Sequence, residues 1–150
     1  MKVKPHLSRI ISMTALLTLL FLHGCNDDQD YIPYVPVNFT VDLTIMNELT
    51  TTGYSRLFAN EGYGGVIVFC EFYDVVTPSA SIYHAYDATC TNEISKDCTL
   101  SSESNNVTAI CSCCSSEYSL FDGYPYKGDA SMALKTYNVS IVSNKLQIYN

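Results

Sequence analysis

The stretch of sequence that decides the fold is Ile110-Cys111-Ser112-Cys113-Cys114-Ser115-Ser116-Glu117-Tyr118-Ser119-Leu120-Phe121-Asp122-Gly123. Its three cysteines fall within four residues, directly after the short apolar run 107–110. Evenly distributed disulfides do not need such crowding, whereas thiolate ligands of a metal or redox centre often cluster in this way. The segment therefore predicts a strand that delivers a cysteine-bearing loop, followed by a hairpin turn at Asp122-Gly123.

A second cysteine-bearing loop lies about twenty residues upstream, at Cys90. It follows the apolar residues 82–86, which predict a strand. Two such loops, each delivered by a strand, can close over a single site. Beyond Cys25 the chain has six cysteines, and an even number also allows disulfides in an exported protein. They are Cys70, Cys90, Cys98, Cys111, Cys113 and Cys114.

The rest of the pattern predicts an all-β domain. Residues 66–72 form an unbroken apolar run, which indicates a strand buried on both faces. Residues 47–60 have no clear period, so we expect an irregular segment there. Strands are expected at residues 37–43, 66–72, 82–86, 107–110, 135–142 and 145–149. Short strands with frequent turns and no helical periodicity favour a small antiparallel sandwich or barrel.

In order and spacing, the two loops resemble those of the Rieske iron–sulfur domain, where a Cys-x-His loop and a Cys-x-x-His loop hold a [2Fe–2S] cluster. Residues 86–92 resemble the first loop, and residues 110–123 resemble the second. Residues 128–139 are similar to the family's third loop and the strand that returns from it. The similarity extends from about Gly64 to the C-terminus. It implies a larger antiparallel framework with a cluster-binding subdomain, at about residues 86–125, inserted at one end.

The departures from the family fall on the ligands. Cys90 and Cys111 occupy its two cysteine positions, but Asn92 stands at the first histidine position and Cys114 at the second. His84 lies upstream of the first loop and is the only histidine outside the signal region, so the chain cannot supply two histidine ligands.

One interpretation keeps a [2Fe–2S] cluster, held by Cys90, Cys111 and Cys114. Asn92, water or another side chain would supply the fourth ligand. Thiolate in place of imidazole should lower the reduction potential, because the neutral histidine ligands are what raise it. The protein would then pass single electrons to an unknown redox partner and catalyse nothing alone.

A second interpretation has no cluster. The resemblance places Cys98 and Cys113 near positions where some family members form a disulfide between the loops, and Cys90 would pair with Cys111 or Cys114. The protein would then be a disulfide-stapled binding or structural lipoprotein. A third interpretation, zinc bound by several thiolates, is also open.

The remaining candidate residues favour structural roles. Cys70 lies in the middle of a predicted strand and is expected to be a buried, inert thiol. His84 fits a surface or core position. Tyr118 matches a family aromatic that packs beneath the cluster loops. The sequence contains no Ser/His/Asp arrangement, phosphate-binding glycine loop or paired-carboxylate motif.

Residues 1–24 predict an export signal. A basic N-terminus with Lys2, Lys4 and Arg9 precedes the uncharged apolar run 10–22, which is shorter than the roughly 20 residues that span a bilayer. The run leads into Leu22-His23-Gly24-Cys25, which resembles the bacterial lipobox. That resemblance implies a lipid anchor on Cys25, stable in the membrane when several acyl chains are attached.

Residues 25–36 predict a solvated tether, because an acidic stretch followed by prolines cannot form a core. The folded domain is expected at residues 37–150. Asn26, directly after Cys25, resembles lipoproteins of the outer membrane, and the acidic run behind it resembles surface-export signals. We therefore expect an exported protein anchored by lipid, in the outer membrane.

The charge balance excludes binding to polyanionic partners through surface charge. The chain has a formal net charge of −7, and residues 1–24 contain three of its eight basic residues and none of its fifteen acidic ones. The mature chain therefore has five basic and fifteen acidic side chains, a net charge of −10. Such a surface does not attract nucleic acid or anionic lipid.

Overall fold

A computed structural model describes residues 32–102 and 107–150. The predicted signal segment, Cys25 and the start of the tether lie outside these ranges. The described residues form ten strands: β1 Asn38–Asp42, β2 Tyr54–Phe58, β3 Val66–Phe72, β4 Ile82–Asp87, β5 Leu100–Ser102, β6 Thr108–Cys111, β7 Glu117–Ser119, β8 Pro125–Lys127, β9 Thr136–Val142 and β10 Lys145–Tyr149. Two 3-10 turns, Asn47–Thr50 and Pro78–Ala80, complete the elements. Within these ranges no helix has the length and apolarity needed to cross a membrane.

The larger sheet has six antiparallel strands in the order β1-β10-β9-β4-β3-β2. β9 and β10 form a hairpin whose turn residues, Ser143 and Asn144, both have positive φ angles of 49° and 63°. This is the turn geometry that matches the twist of a two-residue hairpin. Phe39 on β1 and Phe58 on β2 pack with their rings tilted and their centroids 5.2 Å apart, so the two edge strands of the sheet meet. The sheet therefore curls upon itself.

Strand β3 lies between two hydrophobic cores, as its unbroken apolar run predicts. Val66 and Val68 face the interior of the curled sheet, where they pack with residues of β1, β4, β9 and β10. Ile67 and Phe69 face the opposite side and pack with the cysteine-bearing loops and the smaller sheet. All four side chains are fully buried. β3 thereby joins the framework to the part of the molecule that holds the candidate site.

The smaller sheet is inserted between β4 and β9 and has the antiparallel order β5-β6-β7-β8. It extends from Leu100 to Lys127. The loop between β4 and β5 carries Cys90 and Cys98, and the loop between β6 and β7 carries Cys113 and Cys114. The expected fold, an antiparallel framework with a small inserted subdomain, is confirmed.

Four strands were not among those expected: β2, β5, β7 and β8, of which β7 and β8 flank the expected hairpin turn at Asp122-Gly123. β2 lies inside the segment predicted to be irregular, and β5 lies within a polar stretch. β2 buries the polar residue Ser55 and exposes Leu57, so hydrophobic alternation could not reveal it. β2 and β5 are formed by pairing with a neighbouring strand, β2 with β3 and β5 with β6.

Candidate metal centre

The first cysteine-bearing loop is fixed at its start by a buried carboxylate. Asp87 is fully buried, and its Oδ2 accepts hydrogen bonds from the Tyr137 hydroxyl at 2.6 Å and the Tyr63 backbone N–H at 3.0 Å. Its Oδ1 accepts from the Thr89 hydroxyl at 2.5 Å and the Thr89 and Gly64 backbone N–H groups. The carboxylate thus joins the 62–65 turn, β9 and the loop that leads to Cys90.

The second half of this loop is held by backbone pairing. The Cys90 N–H donates to the Cys98 carbonyl at 3.0 Å, and the Leu100 N–H donates to the Ala88 carbonyl at 2.7 Å. Thr89 and Thr99 form an isolated antiparallel bridge between these two contacts. Cys90 therefore sits on a short two-stranded ribbon rather than on a free loop.

The second cysteine-bearing loop folds into a tight turn. The Ser115 N–H donates to the Cys111 carbonyl at 3.1 Å, and the Cys111 N–H donates to the Ser116 carbonyl at 2.9 Å. Ser115 has a φ of 58°, in the left-handed region that a side chain disfavours. Ser116 is buried, and its hydroxyl accepts from the backbone N–H groups of Asp129 and Ala130 at 3.1 Å each. The loop beginning at Gly128 is thereby attached to the turn.

The two loops bring three thiols together. The sulfur atoms of Cys90, Cys111 and Cys114 all lie within 4.8 Å of one another, and those of Cys90 and Cys114 are 3.4 Å apart. All three cysteines are free. Cys90 and Cys111 are buried, whereas Cys114 is partly exposed. We call these three residues the thiol triad.

Polar groups of the chain contact the sulfur atoms of the triad. The backbone N–H groups of Cys113 and Cys114 donate to Cys111 Sγ at 3.4 and 3.5 Å. The Tyr118 hydroxyl lies 3.7 Å from Cys90 Sγ. It also contacts the Thr91 hydroxyl at 2.9 Å, and that hydroxyl donates to the Met132 carbonyl at 2.8 Å. Such contacts stabilise negative charge on sulfur and fix the side chains around it.

The environments of Cys111 and Cys114 shift their thiol pKa values in opposite directions. Burial is the main reason that the pKa of Cys111 rises to about 12. Partial burial alone would raise the pKa of Cys114, but hydrogen bonds with the Ser116 hydroxyl and backbone and with the two neighbouring thiols outweigh it, and that pKa is lowered. In the metal-free protein Cys114 is therefore the more acidic of these two thiols.

Cys98 and Cys113 form a disulfide that joins the two loops, with their Cα atoms 5.4 Å apart. This is the pairing that the resemblance implies. The other pairings considered from the sequence, Cys90 with Cys111 or Cys114, are not formed in the structure. The disulfide holds Cys113 on one side of the second loop, beside its neighbour Cys114.

The remaining candidate residues from the sequence are Asn92, His84 and Cys70. Asn92 is exposed, two residues after the buried Cys90. His84 is bonded to Glu71, with Nε2 2.5 Å from Oε2, and stacks on Tyr86 with ring centroids 6.1 Å apart. Cys70 is a buried free thiol in β3, as expected from its position in the sequence.

Sequence reasoning did not identify three residues that shape the site. Asp87, Thr91 and Ser116 are polar residues buried by the fold, and each bonds to a segment distant in sequence. Their types are common on any surface, so only their burial distinguishes them. Tyr118, which was expected to pack beneath the loops, is buried and also reaches Cys90 Sγ.

The donors present fit a thiophilic metal centre and do not fit a two-histidine centre. Thiolate sulfur is the usual ligand of iron–sulfur clusters and a common ligand of zinc. Among the described residues no histidine belongs to the triad, since His84 is bonded to Glu71 on β3. An all-thiolate set of three is therefore what this chain offers.

The tether joins the domain on the side of the triad. Ile32 lines a cavity together with Thr91 and Met132, both of which belong to the hydrogen-bonded chain that leads from Tyr118. Pro33 accepts a hydrogen bond from Lys135 Nζ at 3.1 Å. The first described residues of the chain thus share a cavity with Thr91, the residue that follows Cys90.

Comparison with known proteins identifies the fold. No family model matches the sequence, and no curated protein matches it. One chain of the complex of reduced oxygenase and oxidized ferredoxin in carbazole 1,9a-dioxygenase aligns at 16% identity and a TM-score of 0.48, over 75% of this chain and 93% of that one. The ferredoxin of carbazole 1,9a-dioxygenase from Nocardioides aromaticivorans IC177 aligns at 12% identity and 0.47, over 77% and 98%.

The plasma membrane Rieske protein PetC3 from Synechocystis PCC 6803 aligns over 78% of this chain and 100% of its own, with a TM-score of 0.50 and 21% identity. The chain therefore has a Rieske-like fold. The placement of Asn92 and Cys114 at the two histidine positions stays a prediction from the sequence.

Proposed function

We propose that this protein is a membrane-anchored electron carrier of the Rieske-like fold, in which the thiol triad holds a [2Fe–2S] cluster. The observation that carries the proposal is the convergence of three free thiols from two separate loops to within 4.8 Å. The two other cysteines of the loops are joined in a disulfide, so the chain separates the loops' structural crosslink from their free thiols. The name of the Rieske protein PetC3, whose fold this chain shares, also supports an iron–sulfur centre.

The residues around the triad would suit such a centre. A bound iron–sulfur cluster supplies reversible one-electron chemistry. Cys90, Cys111 and Cys114 would hold it, and the N–H groups that point at Cys111 Sγ would stabilise the negative charge of the thiolates. The Cys98–Cys113 disulfide would keep the loops in register when the charge of the site changes. A third thiolate in place of a histidine would give a lower reduction potential than that of a cluster with two cysteine and two histidine ligands.

Two cysteine variants test the cluster. Cys90→Ser and Cys111→Ser should each abolish the visible absorption of the reconstituted protein, because each removes a buried ligand of the triad. Cys70→Ala is the matched control, since it removes a buried thiol from β3 outside the triad. Absorption that survives both triad substitutions would sink the cluster proposal.

The anchor belongs to the same proposal. A lipid on Cys25 would hold the domain close to an envelope membrane, because Ile32 lies seven residues after Cys25 and that length of chain spans at most about 25 Å. Because Ile32 and Thr91 line the same cavity, the triad would lie on the membrane side, within reach of a membrane-bound redox partner. Cys25→Ala should release the protein from the membrane fraction of cells, and retention of the variant there would contradict the proposal.

One observation favours a second function, a disulfide-stapled binding or structural lipoprotein without a cluster. The sulfur atoms of Cys90 and Cys114 are 3.4 Å apart, so a small rotation of the side chains would bring them to bonding distance. Counting thiols after denaturation under non-reducing conditions separates the two functions. The carrier retains the three triad thiols once its cluster is removed, and the stapled protein loses two of them.

A further inference from the structure

The thiol triad has one side that faces solvent. Cys90 and Cys111 are buried, at 0% and 1% exposure, while Cys114 is partly exposed. Among the described residues, Cys90, Cys111 and Cys114 form a group that no other histidine, cysteine or carboxylate joins. The triad is therefore closed by the protein on the side of Cys90 and Cys111 and accessible beside Cys114.

A count of ligands shows what such a site needs. Zinc in proteins takes four ligands in a tetrahedral arrangement, and so does each iron of an iron–sulfur cluster, in which sulfide supplies part of the set. One ion needs four donors, and a [2Fe–2S] core needs four terminal donors. The triad supplies three in either case. We propose that the fourth ligand comes from outside the chain, as an imidazole-type nitrogen donor that binds beside Cys114; this inference rests on the proposed metal centre.

The charge of the site selects a neutral donor. Three thiolates around a divalent ion leave a net charge of about −1. Glu93 and Asp97 lie exposed on the loop between Cys90 and Cys98, and Glu93 Oε2 is 3.3 Å from Cys98 Sγ. The one basic residue of that loop, Lys96, lies over the ring of Tyr63 at 5.3 Å. A fourth anion would approach against this charge, whereas imidazole meets no such repulsion.

Asn92 offers a direct way to test the idea. It is exposed on the same loop as Cys90, and its Cα lies at most about 7 Å from that of Cys90 along the chain. Asn92→His would therefore place an imidazole within the reach of a side chain of the triad. Asn47→His is the matched control, because Asn47 lies in the 3-10 turn beside Tyr83, at the end of β4 away from the loops.

The experiment uses the full-length protein in detergent, prepared without oxygen and loaded with one equivalent of Co²⁺, whose visible spectrum reports its ligands. Imidazole should shift the spectrum of the wild-type protein in a saturable way, and cyanide at the same concentration should shift it less. The Asn92→His variant should show the shifted spectrum without added imidazole. The further spectral shift of this variant on adding imidazole should be at least about tenfold smaller than that of the wild type, because a linked donor acts at millimolar effective concentration. Asn47→His should respond as the wild type does.

Each other outcome overturns a different claim. A Co²⁺ spectrum that imidazole leaves unchanged in the wild type would show that the chain supplies its own fourth ligand, and the inference would fail while the metal centre stood. Tighter binding of cyanide than of imidazole would overturn the choice of a neutral donor. A protein that binds no Co²⁺ would overturn the metal centre and this inference together.

Discussion

At the scale of single residues, the second cysteine-bearing loop holds a strained backbone position. Ser115 has a φ of 58°, where a side chain costs about 1–2 kcal/mol relative to glycine. It is held there because its N–H bonds to the Cys111 carbonyl while the next residue, Ser116, is bonded to the 128–130 loop. The strained residue therefore lies between the cysteines of the loop and Ser116, which attaches the loop to residues 128–130.

Ser115→Gly should therefore raise the free energy of unfolding by about 1 kcal/mol, measured by urea denaturation at pH 7. Ser101→Gly, in the extended backbone of β5, should lower it by about 0.5–1 kcal/mol, because glycine weakens a strand. If Ser115→Gly were destabilising, the left-handed conformation would not be the source of strain that the structure indicates.

The residues of the site divide into those that the sequence predicts and those that it does not. Cysteine is rare enough for its spacing to carry information, so Cys90, Cys111 and Cys114 could be selected as one group. Thr91 and Ser116 could not, because their roles depend on hydrogen bonds to Met132 and to the 129–130 backbone. Such contacts exist only once the chain has folded.

At the scale of elements, Asp87 joins three segments that the fold brings to the start of the Cys90 loop. Asp87→Asn should lower the free energy of unfolding by about 3 kcal/mol, because an amide cannot accept all the hydrogen bonds that the buried carboxylate accepts. Asp129→Asn, on an exposed loop, should change it by less than about 0.5 kcal/mol. Equal effects of the two substitutions in chemical denaturation would remove Asp87 from its proposed role.

Strand β2 carries a second testable feature. The Ser55 hydroxyl is buried, and in the described part of the molecule it has no hydrogen-bond partner. Ser55→Ala should therefore stabilise the protein by about 1 kcal/mol, since an unpaired buried hydroxyl costs about 1–3 kcal/mol. A rise in the thermal midpoint tests this prediction. A fall would indicate that Ser55 is satisfied, for example by a bound water.

The same strand shows where prediction of elements ends. β3 was predicted because residues 66–72 form an unbroken apolar run, which indicates a buried strand. β2 was not, because it buries Ser55 and exposes Leu57, and β5 was not, because it is a short polar segment; both are formed by pairing, with β3 and β6. A strand that depends on its neighbour for stability leaves little trace in its own sequence.

At the scale of the whole molecule, buried tyrosines make the protein less stable at alkaline pH. Burial, followed by the nearby charges of Asp122 and Glu71, raises the pKa of Tyr86 to about 12. Burial also raises the pKa values of Tyr83, Tyr118 and Tyr137. Above pH 10 the unfolded chain loses these protons while the folded protein keeps them. Stability is therefore fully present below pH 10 and is lost as the pH rises towards 12.

Tyr86→Phe should reduce this alkaline loss by about 1 kcal/mol between pH 8 and pH 11, because it removes one of the groups that must stay protonated. Urea midpoints at pH 8 and pH 11 measure the loss in each protein. The variant should lose less than the wild type between these two values. An identical loss in both would show that Tyr86 titrates in the folded protein as it does in the unfolded chain.

The central claim concerns the whole molecule, because both sheets and the loops between them are needed to bring the triad together. The measurement that tests it most directly is the iron and acid-labile sulfide content of the full-length protein, expressed with ample iron and purified without oxygen. A [2Fe–2S] cluster held by the triad would give about two iron atoms and two sulfides per chain. A protein that contains neither, with Cys90 joined to Cys114 in a disulfide, would contradict the central claim.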